Sequence, residues 1–360
     1  MKPSVRTVLA LSLLAAASPA VASSTFFGKH TTSPTLLSNP GSNAWFSSYN
    51  SLLSQTVVWV QNNASNISMF VSADDDYDTS SGNGENEFTF TYAFTGECGT
   101  TAGGGCTLVW WYSSTGLRSE TDVIMDGSVS WDTGLKVADT LGYGGLKRPL
   151  VTTLLHEFGH ALGIGHEARY YNIMGTDWTH RTANSTSYSD VLGEDATQGL
   201  IGIYGATTGG YEDLAVSHWK WDSATTGEYS AHKRNVILSS SWVELAKTTV
   251  SEQPIYTITK GSAAKVEVTV ENNGALSQST NLRLYLSSDS NITTSDTLLS
   301  TATYSFTPDT PSDGYYPVTW PSTLTSGATW YVGACVDVGT TLSEKREDNN
   351  CAYISQLKVK

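Results

Sequence analysis

Three histidines and one glutamate near the middle of the chain have the types and the spacing of a catalytic zinc site. His156 and His160 are four residues apart, so on a helix they lie one turn apart on one face, where both rings can bind one metal ion. A catalytic zinc usually has three protein ligands and an open position for water. Gly163 can end the helix and turn the chain, which brings His166 back as the third ligand. Glu157, beside the first ligand, is then the general base for that water.

An amphipathic helix must hold these side chains in place. Pro149 suits the first turn of such a helix. The apolar residues that follow recur at spacings of three and four, which buries one face and turns the histidines towards a cleft. A core helix with incidental histidines is the alternative, but the pattern HExxHxxGxxH followed by a methionine is far more restrictive than HExxH alone. The apolar stripe consists of Leu150, Leu154, Phe158, Ala161 and Leu162.

The segment His156–His166, with Asn172–Gly175 after it, resembles the metzincin metallopeptidases. Met174 follows the third histidine at the distance typical of the matrixin branch. In that branch the methionine lies in a tight turn beneath the metal, so the resemblance implies that Met174 is structural and not a ligand. No cysteine precedes Cys98, which means that the matrixin cysteine switch is missing.

The resemblance covers residues 45–206 and implies an α+β catalytic domain, in which a mixed twisted sheet accompanies the zinc helix. Gly193–Gly205 is similar to the helix that closes matrixin domains, and Thr121–Met125 is similar to one of their strands. Residues 45–61 have helical spacing, although Val57–Val60 also suits a strand. One predicted strand should form the rim of the cleft and bind an extended substrate along its edge. The predicted strands are residues 66–72, 87–94, 107–113 and 121–126.

The beginning of the chain predicts export from the cell. A basic start and an apolar run over Val8–Ala17 precede a small-residue cleavage site at Ala20–Ala22, so residues 1–22 are predicted to be a secretory signal peptide. Residues 23–44 are an N-terminal extension rich in Ser, Thr, Pro and Gly, which is expected to be extended or poorly ordered. No later run of about eighteen apolar residues is present, so a secreted, extracellular protein without stable membrane insertion is expected.

Charge and composition narrow the expected partners. The formal net charge is -14, which argues against nucleic acid and anionic membranes as partners. Many Ser, Thr, Gly, Tyr and Trp residues with few charged ones are typical of a β-rich extracellular protein. For the zinc site, the metzincin resemblance implies a protein or peptide substrate.

The four cysteines are an even set in a chain that is expected to be secreted, which predicts two disulfides. Three pairings exist in principle. Proximity favours Cys98–Cys106 across a glycine-rich loop and Cys335–Cys351 across two C-terminal strands. Zinc ligation or catalytic thiols are the weaker alternative, because neither spacing is CxxC and the two pairs lie in separate regions.

An acidic loop between two predicted strands is a candidate Ca²⁺ site. Asp74, Asp76, Asp78 and Glu85 occupy positions one, three, five and twelve of a calcium loop, and closely spaced carboxylates are the ligands that Ca²⁺ prefers. Thr79 stands at position six, where a helical calcium loop needs glycine. A solvated acidic turn is therefore the alternative interpretation.

Short alternating strands recur in the C-terminal part of the chain, which predicts an all-β immunoglobulin-like sandwich at residues 255–360. Val268–Gly274, Leu286–Asp289 and Glu344–Asn350 resemble the bacterial cell-adhesion-related domain called CARDB. The resemblance implies an accessory binding or spacer role, with a surface or matrix ligand. Residues 207–254 are predicted to be a linker with accessory strands.

These patterns predict a secreted zinc-dependent endopeptidase that hydrolyses peptide bonds in extracellular proteins. Its zinc ligands are His156, His160 and His166, and its general base is Glu157. The complete set of ligands and base favours an active enzyme over an inactive relative. The alternative is an adhesion or matrix-binding protein in which the C-terminal sandwich is the main functional module.

Overall fold

Two groups of strands organise the computed structural model. The first group is a single mixed sheet formed before residue 130, and the second is a pair of sheets formed after residue 210. No helix of the described residues is long and apolar enough to cross a membrane. The structure describes residues 28–38, 45–73, 81–99, 103–140, 144–166, 173–175, 181–208, 211–218, 234–251, 253–308, 311–339 and 341–360.

The first sheet has five strands: β1 (Thr35–Ser38), β2 (Phe70–Ala73), β3 (Glu87–Thr91), β4 (Gly105–Tyr112) and β5 (Leu117–Asp126). Their order across the sheet is β2-β1-β3-β5-β4. All neighbours are parallel except β4, which is antiparallel to β5 and forms one edge. The sheet is therefore mixed, as predicted, and its antiparallel strand has one side free of sheet partners within the described structure.

Four α-helices of the described residues accompany this sheet: α1 (Trp45–Gln61), α2 (Phe94–Cys98), α3 (Leu150–Leu162) and α4 (Glu194–Tyr204). The segment Val57–Val60 is helical, which settles the ambiguity between helix and strand. Helix α3 carries the histidine motif and packs against α1, β4 and β5. All of its residues except His156 are buried, so the apolar stripe faces the core as its spacing predicts.

Short strands frame the histidine helix. β6 (Trp131–Asp132) pairs with β7 (Arg148–Pro149), which leads directly into α3. β8 (Arg181–Asn184) and β9 (Ser187–Asp190) form an antiparallel hairpin between the histidine motif and α4. The predicted disulfide Cys98–Cys106 is formed and joins the end of α2 to β4.

Ten further strands form two sheets around a second apolar core. In the smaller sheet β14 pairs with β10, β11 and β17, and the larger sheet has the order β12-β13-β19-β18-β15-β16. The predicted disulfide Cys335–Cys351 joins facing residues of β18 and β19. The strands are β10 (Leu214–Ser217), β11 (Ile237–Ser239), β12 (Lys247–Val250), β13 (Gln253–Ile258), β14 (Ala263–Asn272), β15 (Gln278–Ser287), β16 (Thr297–Phe306), β17 (Ser312–Thr319), β18 (Thr329–Val336) and β19 (Cys351–Val359).

Two of the predicted segments contain strands that pair with strands of a neighbouring segment. The N-terminal extension, residues 23–44, contains β1, which lies between β2 and β3, so the first sheet begins ten residues before the predicted boundary at 45. The predicted linker, residues 207–254, contains β10, β11 and β12, which belong to the sandwich. In both cases short strands are completed by partners that are distant in the sequence, and composition alone does not show such pairing.

The apolar core around the histidine helix also contains residues of the sandwich. The cluster that contains Leu154, Phe158 and Met174 from the histidine region also contains Ile292 and Tyr353 from the sandwich. Apolar side chains from both parts of the chain therefore pack together. Each part shields apolar surface of the other part from water.

Candidate metal centre

The three histidines predicted as ligands converge on one point. The Nε2 atoms of His156 and His160 are 3.1 Å apart, and His166 Nε2 lies 3.2 Å from the first and 3.1 Å from the second. These residues are a group that could hold a metal ion, with all ligand atoms within 4.8 Å of one another. His156 and His160 come from consecutive turns of α3, as their spacing predicts.

Hydrogen bonds fix the tautomers of the first two rings. His156 Nδ1 donates to the carbonyl oxygen of Ile173 at 2.6 Å, and His160 Nδ1 donates to the carbonyl oxygen of Ile164 at 2.8 Å. Because a carbonyl oxygen can only accept, the proton sits on Nδ1 and each Nε2 presents a lone pair to the common point. Such a backbone partner for Nδ1 is the usual support of a metal-binding histidine.

Burial keeps the rings of His156 and His160 neutral. It lowers the pKa of His156 to about 3, with a further contribution from the neighbouring His166, and it lowers the pKa of His160 well below the ordinary value. The pKa of His166 is also lowered by burial. Neutral imidazole is the form that binds a metal ion, so the site is in its ligating state at neutral pH.

The arrangement fits a tetrahedral metal ion. Zinc bound to imidazole nitrogens at about 2.0–2.1 Å separates neighbouring nitrogens by roughly 3.3 Å, close to the observed separations of 3.1–3.2 Å. Three lone pairs at this distance repel one another unless a cation lies between them. Three imidazoles suit Zn, Cu, Fe or Ni, and three ligands leave a fourth position for a reacting group.

Glu157 lies next to the first ligand and is held by the edge strand. The Thr107 hydroxyl on β4 is 2.9 Å from Glu157 Oε2 and 3.0 Å from the Glu157 carbonyl oxygen. Gly105 leaves room for this contact, since a Cβ there would lie 2.9 Å from Glu157 Oε1. Burial raises the pKa of Glu157 to about 7, although the Thr107 hydrogen bond and the charge of Arg148 act in the opposite direction.

The C-terminal end of α3 is fastened by groups from outside the motif. Gly163 has φ 111° and ψ 11°, the left-handed conformation expected of a glycine that ends a helix. Arg118 Nη1 donates to the carbonyl oxygens of His160 at 2.9 Å and Ala161 at 2.6 Å, while its Nε donates to Gly28 at 3.2 Å. A cation at the end of a helix satisfies free carbonyls and the helix dipole together. These bonds fix the turn that leads to His166.

Met174 packs against α3. Its side chain is fully buried, and a Cβ added to Gly159 would lie 2.2 Å from Met174 Sδ and 2.9 Å from its Cε. The methionine therefore occupies the space that a side chain at Gly159 would need. This close packing fixes the distance between α3 and the turn that contains Ile173 and Met174. The carbonyl oxygen of Ile173 in that turn accepts the hydrogen bond from His156 Nδ1.

Replacement of Gly159 by alanine is expected to reduce the free energy of unfolding by about 1–3 kcal/mol, because overpacking displaces Met174. The matched control is Gly202→Ala in α4, where a Cβ meets nothing within 4 Å. The control is expected to be neutral or slightly stabilising, since alanine favours helix over glycine. Urea denaturation of the full chain measures both, and equal behaviour of the two variants would contradict the packing argument.

The predicted Ca²⁺ site stays a prediction. Asp74, Asp76 and Asp78 lie outside the described residues, as do the whole predicted signal peptide and the first part of the extension, residues 1–27. Glu85 is half-buried, and its backbone N–H donates to the Asn83 side chain at 2.9 Å. This bond is typical of a tight turn and does not decide between the two interpretations.

Sequence reasoning did not find Thr107 and Arg118 as members of the site. They lie 50 and 42 residues from the groups that they contact, Glu157 and His160, and no local spacing relates them. The sequence identifies Thr107 only as the first residue of the predicted strand 107–113. One signal in the sequence points to Thr107: a predicted strand should form the rim of the cleft. Polar residues on that strand are therefore candidates for contact with the catalytic residues.

The comparisons with known proteins concern the sandwich. The CARDB family model matches residues 246–353, so the chain contains a CARDB domain in this region. One similar solved structure is the CARDB domain of a Pyrococcus furiosus protein in complex with di-metal ions, with 20% identity, 42% of this chain and 90% of that chain covered, and a TM-score of 0.25.

A second similar structure is a domain of a putative cell surface protein from Methanosarcina acetivorans. It has 16% identity, covers 35% of this chain and 93% of that chain, and has a TM-score of 0.23. No curated protein matches the chain. The match of the family model confirms the CARDB resemblance for most of the predicted range, residues 255–360. The match begins at residue 246, nine residues before the predicted start of the domain.

Proposed function

We propose that the chain is a secreted zinc-dependent endopeptidase that hydrolyses peptide bonds in extracellular proteins. One observation supports this above all others: three neutral histidine lone pairs converge beside a buried glutamate that lies against an edge strand. A metal ion is the group that satisfies the lone pairs, and the glutamate stands at the place where a base is needed.

Each residue of the centre has a distinct role in this proposal. His156, His160 and His166 hold the zinc ion, which when bound acts as a Lewis acid on the scissile carbonyl and makes water acidic. Glu157 accepts a proton from the attacking water and passes it to the leaving amine. Thr107 orients the Glu157 carboxylate by its hydrogen bond to Oε2.

The edge strand β4 supports a peptide as the substrate. Among the described strands, β4 pairs with β5 on one side and ends the sheet on the other, while Thr107 of β4 contacts Glu157. An extended peptide can add to such an edge by backbone hydrogen bonds, which places its carbonyl groups beside the centre. Recognition through the backbone favours cleavage within a chain, as in an endopeptidase.

Secretion is supported by the two disulfides. Cys98–Cys106 and Cys335–Cys351 are both formed, and disulfides persist mainly in oxidising compartments outside the cytosol. This agrees with the signal peptide that is predicted for residues 1–22. A secreted enzyme of this kind meets extracellular proteins as its substrates.

Hydrolysis of unfolded casein by the purified full chain tests the proposal. The zinc-loaded protein is expected to release peptides, a zinc chelator is expected to abolish the release, and added zinc is expected to restore it. Metal content is measured on the same samples. Folded, zinc-loaded protein that cleaves neither casein nor gelatin would count against peptidase function, and chelator-insensitive cleavage would count against the metal.

The CARDB domain supports an adhesion or matrix-binding role as the second candidate function. The match to residues 246–353 is the observation in its favour, since such domains are typically surface or adhesion-related. Retention of the full chain on matrix proteins or bacterial surfaces, combined with no casein cleavage, would favour this candidate. Cleavage that depends on zinc would favour the enzyme, whether or not the sandwich also binds a surface.

A further inference from the structure

Strand β16 forms one edge of the larger sheet of the sandwich. It pairs with β15 in an antiparallel register that runs from Gln278↔Phe306 to Leu286↔Thr297. In an antiparallel pair, alternate residues of each strand turn their backbone N–H and C=O groups away from the partner. Apart from β15, the described structure gives the backbone of residues 297–305 no partner. The outward groups of β16 are therefore open to a further strand.

The side chains of β16 are also uncovered over most of the strand. Thr301, Thr303 and Ser305 lie on one face, and all three are exposed. On the other face Ala302 is half-buried, and 37% of Tyr304 is exposed. The strand therefore offers both its backbone and a row of side chains to a partner that lies beside it.

Other edges of the two sandwich sheets carry features that prevent unwanted strand pairing. β12, at the opposite edge of the larger sheet, has four residues and begins with Lys247. β17, which pairs only with β14 among the described strands, contains Asp313 and Pro317. β10 and β11 have only four and three residues. Short strands, charged side chains and prolines are the usual protection of a sheet edge.

β16 lacks this protection over Ser300–Phe306. The whole strand, TLLSTATYSF, contains no charged residue, no proline and no glycine. Its one irregularity lies at Leu299, which the register with β15 skips, whereas Ser300–Phe306 pair with successive residues of β15. A long, uncharged edge is a site where another strand can add by backbone hydrogen bonds.

The best partner for this edge is a strand that is already extended and uncharged. A disordered peptide loses conformational freedom when it adds to an edge, and this loss weakens its binding. A strand that is already part of a folded sheet avoids that loss. β16 of a second copy is such a strand, and its lack of charge lets two copies meet without local repulsion, although the chain has a net charge of -14.

Two copies of β16 match each other about a two-fold axis perpendicular to the sheet. Such an axis keeps each face of the strand on its own side, so residues of one face meet residues of the same face. When the unprotected stretch Ser300–Phe306 is centred on the axis, Thr303 meets Thr303 of the other copy and Thr301 meets Ser305. On the other face Ala302 meets Tyr304, a small side chain opposite a large one. Pairs of Thr and Ser stabilise neighbouring strands.

We propose that β16 joins two copies of this chain into a dimer by antiparallel strand addition, with Thr303 of each copy at the two-fold axis. The two six-stranded sheets then form one continuous sheet. The contact occupies this edge of both copies, so the assembly closes as a dimer. One strand pair is smaller than a standard interface of about 1,600 Å², so we expect a Kd on the order of 10 µM. This inference goes beyond the proposed function and does not depend on it.

Thr303→Lys in the full chain tests the inference, and Thr249→Lys is its matched control. Both threonines are exposed and lie in opposite edge strands of the same sheet. Lysine is common at exposed sheet edges, so both variants are expected to fold. Only Thr303→Lys sets two ammonium groups opposite each other in the proposed dimer. Sedimentation equilibrium measures the Kd of self-association over concentrations from about a tenth to ten times the expected Kd.

We expect the wild type and Thr249→Lys to have the same Kd, whereas the Kd of Thr303→Lys rises by about tenfold or more because like charges face each other. Amide hydrogen exchange in residues 300–306 is expected to slow with rising concentration in the wild type and in Thr249→Lys. No such slowing is expected in Thr303→Lys. An equimolar mixture of Thr303→Lys and Thr303→Glu is expected to associate again, since opposite charges then meet across the axis.

A wild type that stays monomeric over this range would overturn the inference, and so would an equal Kd in the wild type and Thr303→Lys. Association that slows exchange only outside residues 300–306 would also overturn it, because the contact would then lie elsewhere. Circular dichroism checks the fold of each variant. Should Thr303→Lys fail to fold, Thr303→Glu alone provides the same test, since two carboxylates repel as two ammonium groups do. None of these measurements needs a substrate, so an inactive protein leaves them interpretable.

Discussion

Glu157→Gln is expected to lower kcat for casein-derived peptides by about 10²–10⁴-fold while the protein still binds one zinc ion. Glutamine has the shape of glutamate and can keep the hydrogen bond from Thr107, so the fold around the carboxylate is preserved. It cannot accept a proton from water, which removes the base and leaves the three histidines intact. Steady-state kinetics and metal analysis on the same preparation measure both effects.

His160→Ala is the companion variant that separates base from ligand. It removes one of the three converging lone pairs, so metal content and activity are expected to fall together. A Glu157→Gln protein with near-normal turnover would refute the role of base. A His160→Ala protein that keeps its zinc and its activity would show that the proposed ligand set is wrong.

A chain that stops at Gly205 is expected not to fold, although it contains every residue of the candidate centre. Tyr285, Ile292, Cys335 and Tyr353 belong to the core that surrounds the histidine helix, and all four would be lost. Burial of a large apolar side chain such as Tyr285, Ile292 or Tyr353 contributes about 1.5–3 kcal/mol, and the sum for these three is comparable with the whole stability of an ordinary domain, about 5–15 kcal/mol. The expected product is insoluble or lacks a cooperative unfolding transition by circular dichroism.

The full chain prepared in the same way is the control for this truncation. A soluble fragment that unfolds cooperatively and binds zinc would show that the shared core contributes little to stability. The comparison bears on the predicted division of the chain, in which residues 45–206 stand alone as a catalytic domain. The structure gives that region a strand from before residue 45 and core residues from beyond residue 280.

The part of the candidate site whose residues are close in the sequence could be predicted, because helix geometry and glycine conformation determine how such residues are arranged. The histidines one helical turn apart and the left-handed Gly163 follow from spacing and from the conformational preference of glycine. The buried position of Met174 under α3 follows from the family resemblance. In each case no more than eighteen residues separate the groups concerned.

Strand pairing and contacts between residues that are distant in the sequence could not be predicted in this way. Strand β1 has four residues in a stretch rich in Ser and Thr, and only its two neighbours in the sheet make it a strand. The contacts of Thr107 and Arg118 join residues 50 and 42 positions apart, for which a single sequence offers no spacing rule. The CARDB resemblance located the sandwich, but it carried no information about the contacts of the sandwich with the histidine region.

The position of Tyr353 in the shared core has a consequence for how the protein is made. Tyr353 lies in β19, far along the chain from α3, and Cys351 of the same strand forms a disulfide, a bond that persists mainly in oxidising compartments. During synthesis, the core around the histidine helix therefore stays incomplete until β19 has been made, long after α3 itself. We expect α3 to be unable to reach its final packing, and the candidate centre its final geometry, before that strand is present.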